Sequence, residues 1–537
     1  MQGRSRQDRE LLDAGELAGH LVPEGSVFAF LAEHRRELFP DSFTADLFES
    51  RTGRPSLPAD LIGSVLVLQA LYDLSDGQAA EAVKFDIRWK VACGRSLTQM
   101  SFDPSTLVYW RKRIAKSGRP DRVFDAVAEV IAQAGVLRGR RKRVIDSTVL
   151  DDAVATQDTV TQLTAAIRKV ARVVPGAGEV VAAVCVLDYS RPGKPGIDWD
   201  DPQAKDQLVS DLVTDALAVL SALAGPDAPR RDEAAADALG LLALVAGQDV
   251  EPAEDSDGTD GRWRIARKVA SDRVISTVDT QARHTRKGKS ARRDGFRAHV
   301  AAEPGTGLIT DCEMSMAAGE GSSDAENGVS MATRDRFGGR GDGGDEAAGG
   351  GLEGQGLEIY GDSQYGSGQA RADYQAAGHD TVIKPVPLRP AVPGGFTLDD
   401  FTISEEQGTV TCPAGHTRTM SAKRYVTFGA VCAGCPLRAQ CTTAKDGRCL
   451  DIHPHESLLR AARAQARTPE FKQAYRTRAV IERIIAWTAT SSGHRIRLRY
   501  LGASKNGAWL HDRCAAINLR TLVNAGLTRV DGAWALA

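Results

Sequence analysis

The sequence predicts an α/β protein with an N-terminal helical domain, a helical insert and a small cysteine-rich segment. Three observations predict it. Apolar residues recur at helical spacing through 27–135 and again through 159–250. Short β-branched or alternating runs stand at 143–150, 274–312, 357–361 and 381–384. Five of the nine cysteines crowd into residues 412–449.

Each element has a local reason. Leu61, Val65, Leu68, Leu71 and Tyr72 share one helix face, and Pro58 sits at its start. Val123 to Ala134 repeats the pattern and Gly135 supplies a stop. The run RVIDSTVL at 143–150 is short and β-branched, which suits a strand. The insert is helical, broken at Pro175, at Pro192 to Pro195 and at Pro226. Val274, Ser276 and Val278, then Phe296, Ala298 and Val300, then Leu308, Thr310 and Cys312 alternate, which predicts antiparallel strands with a turn at 303–307. Residues 318–356 are rich in Gly, Asp, Glu and Ser and predict a long mobile loop. Strands are expected at 357–361 and 381–384, with a helix near 367–377 between them; 385–455 reads as irregular and 456–525 as helical. The chain therefore divides into an N-terminal helical domain (1–137), a first core strand (138–158), the insert (159–260), the rest of the core (261–384), the cysteine segment (385–455) and closing helices (456–537).

Composition narrows the function. Apolar residues make up 42% and charged residues 26%, values that exclude a disordered or fibrous chain. No apolar run reaches the ~18 residues of a membrane span, and residues 1–10 lack a signal-peptide core. Nine cysteines are too few for a disulfide-stapled secreted protein, so a cytoplasmic setting is expected. Lys plus Arg number 68 against 70 Asp plus Glu, a net charge of −2, but the distribution is uneven. Residues 138–143 carry five basic side chains, 283–297 carry seven against one acid, and 460–499 carry ten against two. Patches rather than totals attract a polyanion. DNA is the expected partner, and the absence of a GxxxxGK[ST] loop leaves ATP-driven work unsupported.

Three carboxylates stand out. Asp146 lies inside an apolar run, where an unpaired charge is costly. Asp362 follows a strand and precedes a helix, the usual site position in α/β sheets. Glu482 shares a helix with apolar Val480, Ile481, Ile484 and Ile485, and Tyr475 and Arg478 fall on its stripe at i−7 and i−4. Hard carboxylate oxygens suit Mg²⁺ or Mn²⁺, and a pair of such ions serves phosphoryl transfer. Asp151, Asp152 and Asp279 are local rivals; the first two follow the apolar run that makes Asp146 distinctive, and Asp279 suits a strand end or turn.

These residues carry a resemblance. The motifs VIDSTVL at Asp146, DTQARHTRKGKSARRDGFRAHVA at 279–301, YGDSQYGSG at Asp362, YRTRAVIERIIAW at Glu482 and LGASKNGAWLHDRCAAINLRTL at 501–522 resemble bacterial insertion-sequence transposases of the Asp-Asp-Glu (DDE) class, in the Tyr-x2-Arg-x3-Glu-x6-Lys group. The segments at 53–81 and 102–114 resemble that group's leading domain. The resemblance implies a ribonuclease-H-like mixed sheet, a metal-binding triad of Asp146, Asp362 and Glu482 holding two Mg²⁺ or Mn²⁺, and cleavage of element ends followed by joining to target DNA. It also implies double-stranded DNA as partner and a homodimer on that DNA. Tyr475, Arg478 and the basic ribbon of Arg286, Lys287, Lys289, Arg292 and Arg293 are then the phosphate contacts, and Arg111, Lys112 and Arg113 are candidates for reading the terminal repeats. The chain departs from the group twice. The signature lysine position holds Ala489, with Arg495 and Arg497 as substitutes, and no Trp lies between Asp362 and Glu482. A nuclease that cuts without joining, or an inactive DNA-binding repressor, are the alternatives.

The cysteines form a separate signal. Cys412, Cys432, Cys435 and Cys441, including one CxxC, offer four soft ligands in a segment poor in large apolar residues, which predicts a structural Zn²⁺. His416 and Cys449 are alternative ligands. Cys93, Cys185, Cys312 and Cys514 are expected in cores. His453 and His455 are expected in a turn.

Overall fold

The computed structural model describes residues 1–5, 12–48, 50, 52–224, 232–268, 270, 272–287, 291–338 and 356–536, without the side chains of 287 and 291. The first part is helical: α1 (Ala14–Ala18), α2 (Val27–Leu38), α3 (Ala59–Tyr72), α4 (Asp76–Phe85), α5 (Ile87–Ala92), α6 (Ser105–Ala115) and α7 (Arg122–Gln133). Helix α3 is apolar on all sides and correspondingly buried from Ala59 to Leu71, so the other helices wrap around it. Ser75 and Gln78 close a reciprocal cap at the start of α4.

Strand β1 (Lys142–Asp151) follows and becomes the centre of the main sheet. The insert then supplies α8 (Thr159–Val173), α9 (Ala177–Val184), α10 (Pro202–Leu223), α11 (Glu233–Gln248) and a two-stranded ribbon of β2 (Val250–Pro252) and β3 (Trp263–Ile265). It packs its own core, with Leu163, Ile167, Leu212 and Leu242 at 0% exposure. Buried Asp215 there accepts from the Val186 and Leu187 amides and from the Tyr189 hydroxyl.

The sheet is completed by β4 (Arg283–Lys287), β5 (Ala291–Ala302), β6 (Ile309–Met316), then helix α12 (Asp324–Thr333), β7 (Glu358–Gly361), helix α13 (Gly368–Ala376) and β8 (Asp380–Ile383). Its order is β4-β5-β1-β7-β8, with β6 also paired to β5. Strands β1, β7 and β8 are parallel, while β5 runs antiparallel to β1, β4 and β6. The mixed sheet agrees with the α/β expectation. Gly295 has φ +156°, and a Cβ there would meet the Leu150 carbonyl oxygen at 2.0 Å, so only glycine lets β5 pass so close to β1.

The cysteine segment folds as β9 (Thr402–Ser404), β10 (Thr409–Thr411), β11 (Thr417–Thr419), β12 (Tyr425–Thr427), α14 (Arg438–Cys441) and β13 (Cys449–Asp451) around Phe401, Val410, Val426, Phe428 and Ile452. The tail contains α15 (Glu456–Gln465), α16 (Pro469–Tyr475), α17 (Val480–Ala489), a short ribbon of β14 (Thr490–Ser491) and β15 (His494–Arg495), α18 (Ala503–Asn524) and a hairpin of β16 (Leu527–Val530) and β17 (Ala533–Leu536). Helix α18 packs against β6, α3 and α7 and so joins the helical domain to the sheet in one core. No helix among the described residues is long and apolar enough to cross a membrane.

Three expectations need correction. Residues 318–356 are not a continuous loop: Ser323 accepts from the Glu326 amide and opens α12, while 339–355 lie outside the described residues. Residues 274–278 form no strand; Val274 makes one isolated bridge to Arg283, and the segment is held instead by Gln157 and Gln162 of the insert junction. Tyr475, Arg478 and Glu482 do not lie on one α-helix, because a 3₁₀ turn at Arg476–Ala479 separates α16 from α17.

Candidate active site

Strand β1 carries Asp146 and β7 delivers Asp362. Their register pairs Val144 with Tyr360; Asp146 lies two residues further along β1 and Asp362 just past the end of β7, near enough for its charge to act on Asp146. Asp146 Oδ1 accepts from the Ser147 amide at 2.8 Å, and Asp362 caps the turn that follows by accepting from the Gln364 amide at 2.8 Å. Helix α17 packs on β1 and brings up Glu482, whose side chain stays largely in solvent.

Arg478 ties the group together. Its guanidinium donates to Asp146 Oδ2 at 2.8 Å and to Glu482 Oε1 at 3.2 Å. Burial pushes the Asp146 carboxyl up to about 6; the Ser147 amide and Arg478 oppose that rise, whereas Asp362 and Glu482 add to it. Tyr475 is half-buried, stacks on Phe471 at 5.5 Å, and has its hydroxyl raised by burial and by the charges of Asp362 and Asp146. Like charges held together with a single guanidinium between them describe a site built for more positive charge than the chain itself supplies. Among the described residues, no three His, Cys, Asp or Glu side chains are arranged to hold a metal ion. The donor chemistry of Asp146, Asp362 and Glu482 nevertheless fits a hard divalent cation, with Arg478 standing where such a charge is needed.

Behind Asp146 lies a network that sequence reasoning missed. Asp324, at the start of α12, accepts from the Ser147 hydroxyl at 2.7 Å and from Arg297 at 2.6 Å. Burial raises its carboxyl, Ser147 and Arg297 pull it back, and Asp362 adds to the rise. His299, fully buried and 3.4 Å from Asp324, is pushed down to about 3 by burial and is therefore neutral; its Nε2 pairs with the Ser315 hydroxyl at 2.9 Å. The one sequence signal for Asp324 was the SDAE run at 323–326, an N-capping pattern inside a stretch that composition marks as loop.

The remaining candidates divide. Arg286 and Arg292 are exposed and directly opposite one another on the β4–β5 ribbon. Arg293 is instead paired with Asp151 at 2.8 Å. The Lys287 side chain and Lys289 lie outside the described residues. Ala489 is buried at the end of α17, so that position faces the core. Arg495 donates to the Val149 carbonyl at 2.5 Å and Arg497 to the Asp152 carbonyl at 3.0 Å, which holds both against the end of β1. Asp279 is buried and accepts from the Gly502 amide at 2.8 Å, a joint to the tail. Cys412, Cys432, Cys435 and Cys441 all line one small cavity with His416, while Cys449 is exposed on β13. Cys93, Cys312 and Cys514 are buried and Cys185 partly so. His453 accepts from the His455 amide at 3.0 Å in the turn before α15.

Residues 411–523 match the transposase DDE domain, and residues 18–113 match the transposase domain DUF772. Together the two matches support an insertion-sequence transposase of the DDE class. For this DDE transposase the first match holds Glu482, Arg478 and the cysteines, the second holds the N-terminal helices through most of α6, and Asp146 and Asp362 fall outside both. A DDE domain carries with it a ribonuclease-H-like core and dependence on a divalent metal, which the mixed sheet and the carboxylate donors fit. No curated protein and no solved structure matches the chain.

Proposed function

We propose that this transposase cleaves the ends of its insertion sequence and joins the freed 3′ ends to target DNA by phosphoryl transfer, with Asp146, Asp362 and Glu482 as the catalytic triad. The observation that carries this reading is the convergence of Asp146 on β1, Asp362 just past the end of parallel β7 and Glu482 on α17, with Arg478 bonded to Asp146 and Glu482. A pair of Mg²⁺ or Mn²⁺ ions held by these carboxylates supplies positive charge to the attacking and leaving oxygens. Arg478 keeps the carboxylates oriented without DNA and turns to a backbone phosphate when DNA enters, and Tyr475 borders the same phosphate. Arg286 and Arg292 hold phosphates further along the duplex. Two chains act together on two DNA ends. Cys412, Cys432, Cys435 and Cys441 hold a structural Zn²⁺, which their common cavity supports.

The test uses the full chain, a labelled duplex carrying the element end, a target plasmid and Mg²⁺. Nicked and joined products are expected. Asp146→Ala, Asp362→Ala and Glu482→Ala each abolish both products while DNA binding persists, since a lost ligand removes charge stabilisation and not the phosphate contacts. Nicks without joined products mark a nuclease, and binding without nicks marks a repressor.

A further inference from the structure

We propose that α6 is the helix that reads DNA sequence, lying in the major groove of duplex DNA with the face formed by Ser105, Val108, Tyr109, Lys112 and Lys116. This assignment rests on the transposase function proposed above and names the element through which the protein recognises its DNA.

The helix is split cleanly into two faces. Leu107, Trp110 and Ile114 are buried, with Trp110 packed edge-on against Phe48 at 5.2 Å, so the helix cannot rotate. The opposite residues, at i, i+3, i+4, i+7 and i+11, are exposed, Val108 by 40% and Tyr109 by 47%. Its 11 residues span about 16 Å along the axis, and an α-helix about 10–12 Å across fits the ~12 Å wide major groove. Chemistry agrees with shape. Asp103 caps the start, accepting from the Ser105 amide at 2.8 Å and hydroxyl at 2.6 Å, which leaves polar groups where a recognition helix meets base edges. Val108 offers a methyl surface suited to thymine.

Positive charge lines the far end. Lys112 and Lys116 have no carboxylate within ion-pair distance among the described residues, and with Arg54 they border a cleft of about 800 Å³. The acid lining that cleft, Asp46, is already held by Arg122 at 2.8 Å. Arg113 lies over the rings of Phe48 and Tyr109, at 4.6 and 5.4 Å, and donates to the Leu47 carbonyl and the Tyr109 hydroxyl. That contact fixes Tyr109 in place before any ligand arrives. Arg111, by contrast, points inward to Asp76 and Gln69 under the Tyr500 ring, which corrects its candidacy for the repeats. Rigid and basic, and with no carboxylate of its own between Ser105 and Lys116, this face is complementary to a duplex rather than to an acidic or apolar protein surface.

The full chain is used to select from a pool of randomised 30-base-pair duplexes, and the enriched duplex is compared with a scrambled one. Wild type is expected to enrich a defined sequence. Val108→Ala/Tyr109→Ala is expected to lose about tenfold or more of the preference for it while binding scrambled duplex as before. Lys112→Ala/Lys116→Ala is expected to weaken binding to both duplexes equally and to lower the salt slope by about 2. Unchanged preference in the Val108/Tyr109 variant overturns the assignment, as does a preference lost in Arg286→Ala/Arg292→Ala instead, or no enrichment by wild type. Enriched duplex that is bound with preference but never cut with Mg²⁺ overturns the cleavage chemistry alone.

Discussion

Arg478 bonds to a carboxylate 332 residues away in sequence and to another four residues on, across the junction from the 3₁₀ turn into α17. It occupies the position where the site calls for positive charge, so it competes with any cation for the same carboxylates. Arg478→Ala should therefore lower the melting temperature of metal-free protein yet enlarge the rise produced by Mg²⁺, read by differential scanning fluorimetry; equal rises in both proteins would separate Arg478 from the metal site. Asp324 acts one shell further out, through the Ser147 hydroxyl beside Asp146. Asp324→Ala should slow cleavage about 10–100-fold, the usual cost of losing a group that orients a ligand, while Asp324→Asn retains an acceptor and most of the rate. Asp146 and Glu482 stood out in sequence because the first interrupts an apolar run and the second sits beside an apolar helix face. Asp324 did not, because a carboxylate among Gly, Ser and Asp residues looks like solvated loop until the strand bearing Arg297 and His299 folds over it.

At the scale of elements, the pattern of the sequence identified strands β1, β5, β6, β7 and β8 and the helices of the insert, where periodicity is strong. It failed where the stabilising partner is tertiary. Helix α12 has few large apolar residues, and its Gly328 lies against Tyr365 and Tyr374, so small size there reflects packing and not flexibility. The 3₁₀ turn between α16 and α17 is equally invisible to a periodicity that treats the whole run as one helix. The cysteine segment has only a slight core, and four thiols line one small cavity in it. Elemental analysis should find about one zinc per chain, and Cys435→Ser should make 412–449 sensitive to protease. A metal-free protein with a resistant segment and full activity would return these cysteines to ordinary packing.

For the whole molecule, a net charge of −2 conceals its polarity. Binding to duplex DNA should weaken steeply with salt, each neutralised phosphate adding about −0.9 to the log–log slope, and a flat profile between low and physiological salt would leave the basic patches as plain surface. Asp512, where α18 meets the helical domain, is raised to about 7 by burial, with Asp121 adding to the rise and Arg111 opposing it. Its folded value exceeds its unfolded one, so the native state holds the extra proton and stability falls as pH rises from about 4 to 7. Denaturant titrations at pH 5 and 8 should show a smaller difference for Asp512→Asn than for wild type; an identical difference would assign the slope to other groups.

The joining of β1 to helices near the other end of the chain also sets a clock. Translation at roughly 5–20 residues per second leaves Asp146 waiting tens of seconds for Arg478 to leave the ribosome. For the first part of that interval β1 lacks β5 and β7, and throughout it the helical domain lacks α18, which packs on α3 and α7. An interrupted product thus carries neither the cutting site nor the helix that steadies the N-terminal domain. On the proposed reading, a fragment that stops before Glu482 lacks the third carboxylate and is unable to cut.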